Sequence, residues 1–296
     1  MSVRQVLHFI TNHPLNRNQR LRALLRFAGW QIRSRLQPGP VISDWIGGVR
    51  FYVQRHEYAL TGNIYTGLYE FHEMAFLLHI LRPDDLYIDV GANVGSYTLL
   101  ACGVSGARGV AFEPIPATFE RMLANIQLNG LQEKVDCHNL GVGREEGVLL
   151  FTSDQNTTNH ALAAGETSDG AAEVRVVNLD SILQGMDPFL LKIDVEGFET
   201  PVLEGGLKVL ANPALKAVIM ELNGSGDRYG FDEESILAKM LALGFQTYGY
   251  DPFSRHLIPL EGKNADAGNT LFIRDKKLVA ERLRTAAPIA VHGRQL

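Results

Sequence analysis

An α/β fold, with a mostly parallel sheet covered by helices on both faces, is predicted by three observations. From residue 86 onward, short apolar runs alternate with stretches of helical periodicity. Four of those runs end in an acid: Asp89, Glu113, Asp194 and Glu221. The first of them opens directly into a glycine turn, Gly91-Ala92-Asn93-Val94-Gly95. A chain of 296 residues can bury a full core without disulfide or metal staples. Its 46% hydrophobic and 21% charged residues exclude a disordered chain, a collagen and a disulfide scaffold. No apolar run approaches the ~20 residues that span a bilayer, and the first ten residues lack the continuous apolar core of an export signal. The two cysteines, Cys102 and Cys137, are expected to be buried thiols in a reducing cytoplasm.

The net charge of −5 is unevenly divided. Residues 1–43 hold seven arginines and no acid, residues 44–274 hold 16 bases against 31 acids, and residues 275–296 hold five against two. An acidic body argues against nucleic-acid binding, which needs phosphate neutralisation over a broad surface. Residues 1–36 read as helical, with Leu21, Leu24, Leu25 and Ala28 at i, i+3, i+4 and i+7, until Pro38-Gly39-Pro40 breaks the pattern. Trp45, Val49, Tyr52 and Val53 around Gly47-Gly48 suggest a hairpin, and Glu70 to Leu81 a helix stopped by Pro83. Strands follow at 86–90, 109–112, 135–140, 189–195, 217–222, 245–250 and 270–273, with further extended segments at 148–152 and 174–179. Helices are expected from Ser96, over Phe119 to Ile126, from Thr200-Pro201 to Ala211, and after Asp232. The polar loop 153–172 is long enough to be functional. This divides the chain into a basic helical extension (1–43), a hairpin and helix (44–84), an α/β domain (85–275) and a tail (276–296).

In an open α/β sheet, ligands bind beyond the carboxyl ends of the strands. Glycines there let the backbone approach a ligand, and a helix N-terminus offers free N–H groups. Asp89 lies two residues before Gly91 and would repel a pyrophosphate, and the spacing is Gly-x-x-x-Gly rather than Gly-x-Gly-x-x-Gly. The site therefore suits a ligand with a cationic head and no phosphate. Glu113, 24 residues after Asp89, is placed to take both hydroxyls of a ribose. In Leu190-Leu191-Lys192-Ile193-Asp194-Val195-Glu196, the charged Lys192 and Asp194 share one strand face. Charges inside a parallel sheet need partners or a ligand. Glu221 and Asn223 reach the same rim from the next strand.

These motifs, in this order, resemble the FkbM-type methyltransferases that use S-adenosylmethionine. The resemblance rests on Asp89 to Thr98, Ala111-Phe112-Glu113-Pro114, Asn125 to Gly130, Leu179-Asp180, Lys192 to Gly197 and Val202 to Gly206, and covers roughly residues 64–274. It implies a Rossmann-like class I methyltransferase fold: a seven-stranded, mostly parallel sheet with an antiparallel strand near one edge. It implies S-adenosylmethionine as donor and a hydroxyl on a small molecule or glycan as acceptor. It places Asp89, Gly91, Ala92, Asn93, Gly95 and Thr98 at the methionine end, Glu113 and Pro114 at the ribose, and Asn139, Gly141 and Val142 beside the adenine. Glu70 would meet the cofactor's amino group.

Methyl transfer from a sulfonium needs alignment above all, and an alcohol acceptor must lose its proton. Asp194 or Glu196 is expected to take that proton, with Lys192 orienting the carboxylates. Asn156, Asn159 and His160 in the polar loop, with Glu221 and Asn223, are candidate acceptor contacts, and His160 is a rival base. Asp194, Glu221 and Asn223 have the oxygen ligands that suit Mg²⁺, although no metal is expected. Two alternatives remain: a nucleotide-dependent oxidoreductase, and a non-catalytic protein of the same fold. The arginine-rich extension has three readings: a helix packed on the body, a peripheral contact with an anionic membrane, or a cap over the acceptor site.

Overall fold

The structure, a computed structural model, describes residues 2–55, 57–152, 159–163, 165–168, 170–265 and 267–296. Two helices, α1 (Val3–Asn12) and α2 (Arg20–Leu36), stand where a single helical stretch is expected. A hairpin follows, β1 (Val41–Asp44) paired with β2 (Arg50–Val53). Next come α3 (Tyr58–Thr66) and α4 (Phe71–Ile80). The sequence pattern gives no sign of α3. Its Thr61-Gly62-Asn63 segment breaks apolar periodicity, although all three side-chain positions are buried.

The body contains β3 (Leu86–Val90), β4 (Arg108–Phe112) and β5 (Val135–His138), the short β6 (Gly141–Val142), and β7 (Gly147–Thr152) paired with β8 (Ala171–Val177). It continues with β9 (Leu190–Ile193), β10 (Ala217–Glu221), β11 (Gln246–Asp251), β12 (His256–Pro259) and β13 (Asn269–Ile273). The main sheet has eight strands in the order β12-β11-β13-β10-β9-β3-β4-β5. Strands β10, β9, β3, β4 and β5 are parallel, and β13 is the antiparallel strand inserted between β10 and β11. Seven of these strands follow the expected class I arrangement. The eighth, β12, extends the edge by a hairpin from β11. It is mostly exposed, so it lacks the apolar alternation by which a strand is read from sequence.

Side chains alternate between the two faces of the sheet, each of which has its own apolar cluster. Tyr87, Ala111, Leu190, Ile219 and Leu271 lie on the face covered by α4 and the last helix (Lys276–Arg284). Ile88, Val90, Leu191, Ile193 and Met220 face the helices Glu199–Glu204, Leu207–Ala211 and Glu233–Ala242. The expected helix from Pro201 to Ala211 is thus two helices. It begins at Glu199 rather than at a Thr200 cap, and it breaks at Gly205-Gly206. The helix expected from Ser96 makes one α-turn and continues as a π-helix over Leu99–Val104. Asp232 caps its helix as the sequence indicates, accepting the amides of Glu234 and Ser235.

Candidate active site

Strand order reverses between β3 and β9, because β4 and β5 lie on one side and β10 on the other. A crevice opens beyond the carboxyl ends of strands at such a point. Register decides which side chains meet there. Asp89 on β3 pairs with Lys192 on β9, and Lys192 with Ile219 on β10. Both charged side chains therefore point to the α4 face, and Asp194 and Glu221, two residues further along their strands, follow them. Asn269 on β13 is the register partner of Glu221, and its amide donates to Glu70 at 2.9 Å. The result is a cleft of about 310 Å³ lined by Glu70, Asp89, Glu113, Lys192, Asp194, Glu196 and Glu221, with apolar walls from Met74, Phe112, Leu140, Val142, Phe151 and Phe198.

Lys192 organises the floor. It is 3% exposed, donates to Asp194 Oδ2 at 2.6 Å, and lies 4.6 Å from the centre of the Tyr97 ring. Burial opposes its charge, but Asp194, Asp89 and Glu70 outweigh that and hold its pKa above the ordinary lysine value. Burial raises the pKa of Glu70 and Asp89, and Lys192 pulls both back. Asp89 is braced by the Thr98 hydroxyl, which donates to its Oδ2 at 2.6 Å, and the buried Tyr87 hydroxyl beside it also favours its charged form.

At the rim of the cleft, carboxylate oxygens of Asp194, Glu196 and Glu221 all lie within 4.8 Å of one another. Burial, then the charges of Asp194 and Glu199, pushes Glu196 up to about 7. Burial and the charges of Asp194 and Glu196 raise Glu221 further. Of the three, Glu196 is the one held near 7. The Glu196 backbone is left-handed, with φ 54°, and is followed by Gly197. The buried Glu199 holds this turn by accepting the amides of Val195 (3.3 Å) and Gly197 (3.2 Å). A methyl on Gly197 would press on the Ser225 carbonyl, which packs against the turn.

The loop after β3 is built for close approach. Gly91 has φ 80°, and a methyl there would overlap the Asp194 carbonyl oxygen. The Gly91 turn and the end of β9 are therefore in backbone contact. Glu113 accepts the amides of Asn93 and Ile115, both at 3.0 Å, so each carboxylate oxygen keeps one lone pair free. Burial pushes this carboxyl up to about 7 despite the two amides.

A family model described as the methyltransferase FkbM domain matches residues 89–247, more than half of the chain. The chain belongs to the FkbM methyltransferase family. "Methyltransferase 1" of Beauveria bassiana is 32% identical over 148 residues, covering 42% of this chain and 59% of that protein. "Hexuronic acid methyltransferase AglP" of Haloferax volcanii is 28% identical over 155 residues, covering 51% and 61%. "31-O-demethyl-FK506 methyltransferase FkbM" of Streptomyces tacrolimicus is 28% identical over 212 residues, covering 58% and 76%. The chain thus spans about three fifths of the length of the first two relatives.

In this FkbM-family chain, the cleft brings together Glu70, Asp89, Gly91, Ala92, Asn93, Glu113, Pro114, Gly141, Val142, Asn159, Lys192, Asp194, Glu196 and Glu221. The other expected site residues lie outside its wall. Thr98 sits behind Asp89, and Gly95 starts the helical turn with φ 86°. Asn139 is not on the cleft wall. Its amide braces the loop after β4 by donating to the carbonyls of Glu113 (2.8 Å) and Pro114 (2.9 Å). His160 is buried, with Nε2 2.9 Å from Glu166 Oε1, rather than facing the cleft. Asn223 is exposed and accepts the Ser225 amide at 2.9 Å, and Glu196 replaces it in the oxygen cluster. Asn156 lies outside the described residues. The sequence reading missed Tyr69, Met74, Tyr97, Phe151 and Phe198 as lining residues, and the buried Glu73 and Glu199 as carboxylates behind them. The two glutamates left a signal: an acid inside the otherwise apolar Phe71–Ile80 helix, and a third acid after Asp194 and Glu196.

Proposed function

We propose that this chain transfers the methyl group of S-adenosylmethionine to a hydroxyl on a small molecule or glycan. One observation carries the reading. The cleft at the strand-order reversal is walled by carboxylates, and its lysine is already paired with Asp194. Such a wall repels phosphate and suits a donor that is cationic at sulfur and ammonium. When bound, S-adenosylmethionine supplies an electrophilic methyl on its sulfonium. Asp89, Glu70 and the Gly91–Asn93 backbone would hold the methionine end. The free lone pairs of Glu113 would take the ribose hydroxyls, and Pro114, Gly141 and Val142 would enclose the base. Glu196 would receive the acceptor's proton, with Lys192 holding Asp194 in place beside it. Two relatives are named for a hexuronic acid and for 31-O-demethyl-FK506, which supports an oxygen-bearing acceptor of either kind. The same carboxylate wall disfavours the dinucleotide-dependent oxidoreductase. The intact Lys192, Asp194 and Glu196 disfavour a non-catalytic protein. No helix among the described residues is long and apolar enough to cross a membrane. The free Cys102 and Cys137 support a cytoplasmic setting, which subcellular fractionation tests.

Thermal shift with the two candidate cofactors tests the reading. S-adenosylmethionine at about 100 times its Kd is expected to stabilise by about 2.7 kcal/mol, with no shift from NAD. The shift should depend on pH. Burial raises Glu73, Glu113, Glu196 and Glu199 from the ordinary 4.5 to about 7 each. The folded state then holds these protons more tightly than the unfolded state. Their contribution to the stability of the free chain is fully present below about pH 4.5 and is lost as pH rises through 7. A cationic donor offsets that loss, so its stabilisation should be larger at pH 8 than at pH 5. A shift from NAD alone would reverse the assignment. The Asp194–Glu196–Glu221 cluster also bears on metal use. A chelator is expected to leave turnover unchanged. Loss of turnover that Mg²⁺ restores would place a divalent ion there.

A further inference from the structure

Helix α2 has two apolar faces, and only one of them is covered. Ala23 and Trp30 are buried, with Phe27 half-buried beside them, against the body. Arg26 donates to the Tyr65 carbonyl and to Asn16 Oδ1, and Gln31 to the Tyr65 hydroxyl at 3.1 Å, which fixes the rotation of the helix. The opposite face carries Leu21, Leu25, Ile32 and Leu36, which are 72%, 63%, 61% and 76% exposed. At about 100° per residue, spacings of 4, 7 and 4 place these four within an arc of about 60°. They form one continuous stripe pointing away from the protein. Three of the stripe residues expected from the sequence, Leu21, Leu25 and Ala28, therefore lie on the exposed side.

We propose that this stripe docks α2 on the surface of an anionic bilayer. Arg22 and Arg33 border it on one side and Arg35 on the other, and all three are exposed. Residues 1–43 contain no acid. A helix with an apolar stripe between arginines can lie in the headgroup region, with the stripe immersed ~5–10 Å and the guanidinium groups among lipid phosphates. Charge complementarity selects this occupant over a second copy of the chain. A contact between two α2 helices would bring five arginines against five with no acid between them. Docking also sets the bilayer one helix from the cleft, since α2 packs on α3, and Tyr69 and Glu70 follow α3 directly.

Vesicle co-sedimentation with the full chain tests this without donor or acceptor, so it reads independently of the methyl-transfer assignment. The chain is expected to sediment at low salt with vesicles containing phosphatidylglycerol, not with phosphatidylcholine alone, and to be released by high salt. The double variant Leu25→Gln, Ile32→Gln should bind about tenfold or more weakly, with an unchanged thermal midpoint because both side chains are exposed. Arg22→Gln, Arg33→Gln and Arg35→Gln should each cost about fivefold. No binding to the anionic vesicles at low salt overturns the proposal, as does binding unaffected by the Leu25/Ile32 variant. A dimer in light scattering that the same double variant dissolves also overturns it, and assigns the stripe to a second copy.

Discussion

Glu196→Gln is expected to lower turnover by about 10²- to 10⁴-fold, the range of a lost general base, while donor affinity stays within a few-fold. The substitution keeps shape and hydrogen-bonding length, and glutamine occupies the left-handed φ of 54° no worse than glutamate does. It removes the carboxylate that burial and its neighbours hold at about 7. A base must be ionised to act, so turnover of the unmodified enzyme should climb as pH rises through about 7, and the variant should lose that step. Asp194→Asn is also expected to abolish turnover, by a different route. It leaves the buried Lys192 without its 2.6 Å partner. Breaking a buried pair costs about 3–5 kcal/mol, and Asp89 and Glu70 keep this loss toward the lower end. A fall in unfolding free energy thus marks Asp194→Asn and not Glu196→Gln. His160→Gln should turn over normally, because His160 is paired with Glu166 away from the cleft. Near-normal turnover in both carboxylate variants would sink the assignment of the base to this strand end.

What could be read from the residues alone follows from how each feature is encoded. Strand ends were legible because period-2 alternation fixes the face: Lys192 and Asp194 fall opposite Leu191 and Ile193 in sequence, and so they do in the sheet. The acids ending β3, β9 and β10 meet because adjacent parallel strands share register, which follows once the strand order is known. Helix α2 shows the opposite case. It has apolar residues on two sides, and periodicity cannot say which side meets the protein. The answer depends on Tyr65, in a helix the pattern does not reveal. His160 and Asn139 are polar loop residues whose partners, Glu166 and the Glu113 carbonyl, are set by tertiary approach. The break of the 199–211 helix at Gly205 is of the same kind, since the Gly143 carbonyl of another segment packs against it.

Gly91→Ala should be the most damaging single methyl in the molecule. Two costs add at this position. The backbone has φ 80°, where an L side chain loses about 1–2 kcal/mol. The new methyl also overlaps the Asp194 carbonyl, a backbone atom that cannot rotate away. Overpacking of this kind costs about 1–3 kcal/mol more. The strain cannot stay local. Asp194 donates its own amide to the Val90 carbonyl at 3.0 Å, and the Gly91 and Ala92 amides both donate to the Phe112 carbonyl, at 3.0 and 2.9 Å. Pushing Gly91 from Asp194 therefore separates the cofactor turn from the proposed base and from the strand that carries Glu113. A displacement of about 1 Å between aligned groups is enough for roughly 10²-fold in rate. The variant is expected to lose about 2–5 kcal/mol of stability and at least 10²-fold in donor affinity or turnover. Gly130→Ala is the matched control: its φ is 65°, but no heavy atom lies within 4 Å of the new methyl. It should show only the backbone cost of about 1–2 kcal/mol and normal donor binding. Chemical denaturation and donor-binding calorimetry on the pair separate the two terms. Equal stability losses, with donor affinity intact in Gly91→Ala, would show that contact with Asp194 does not set the cleft.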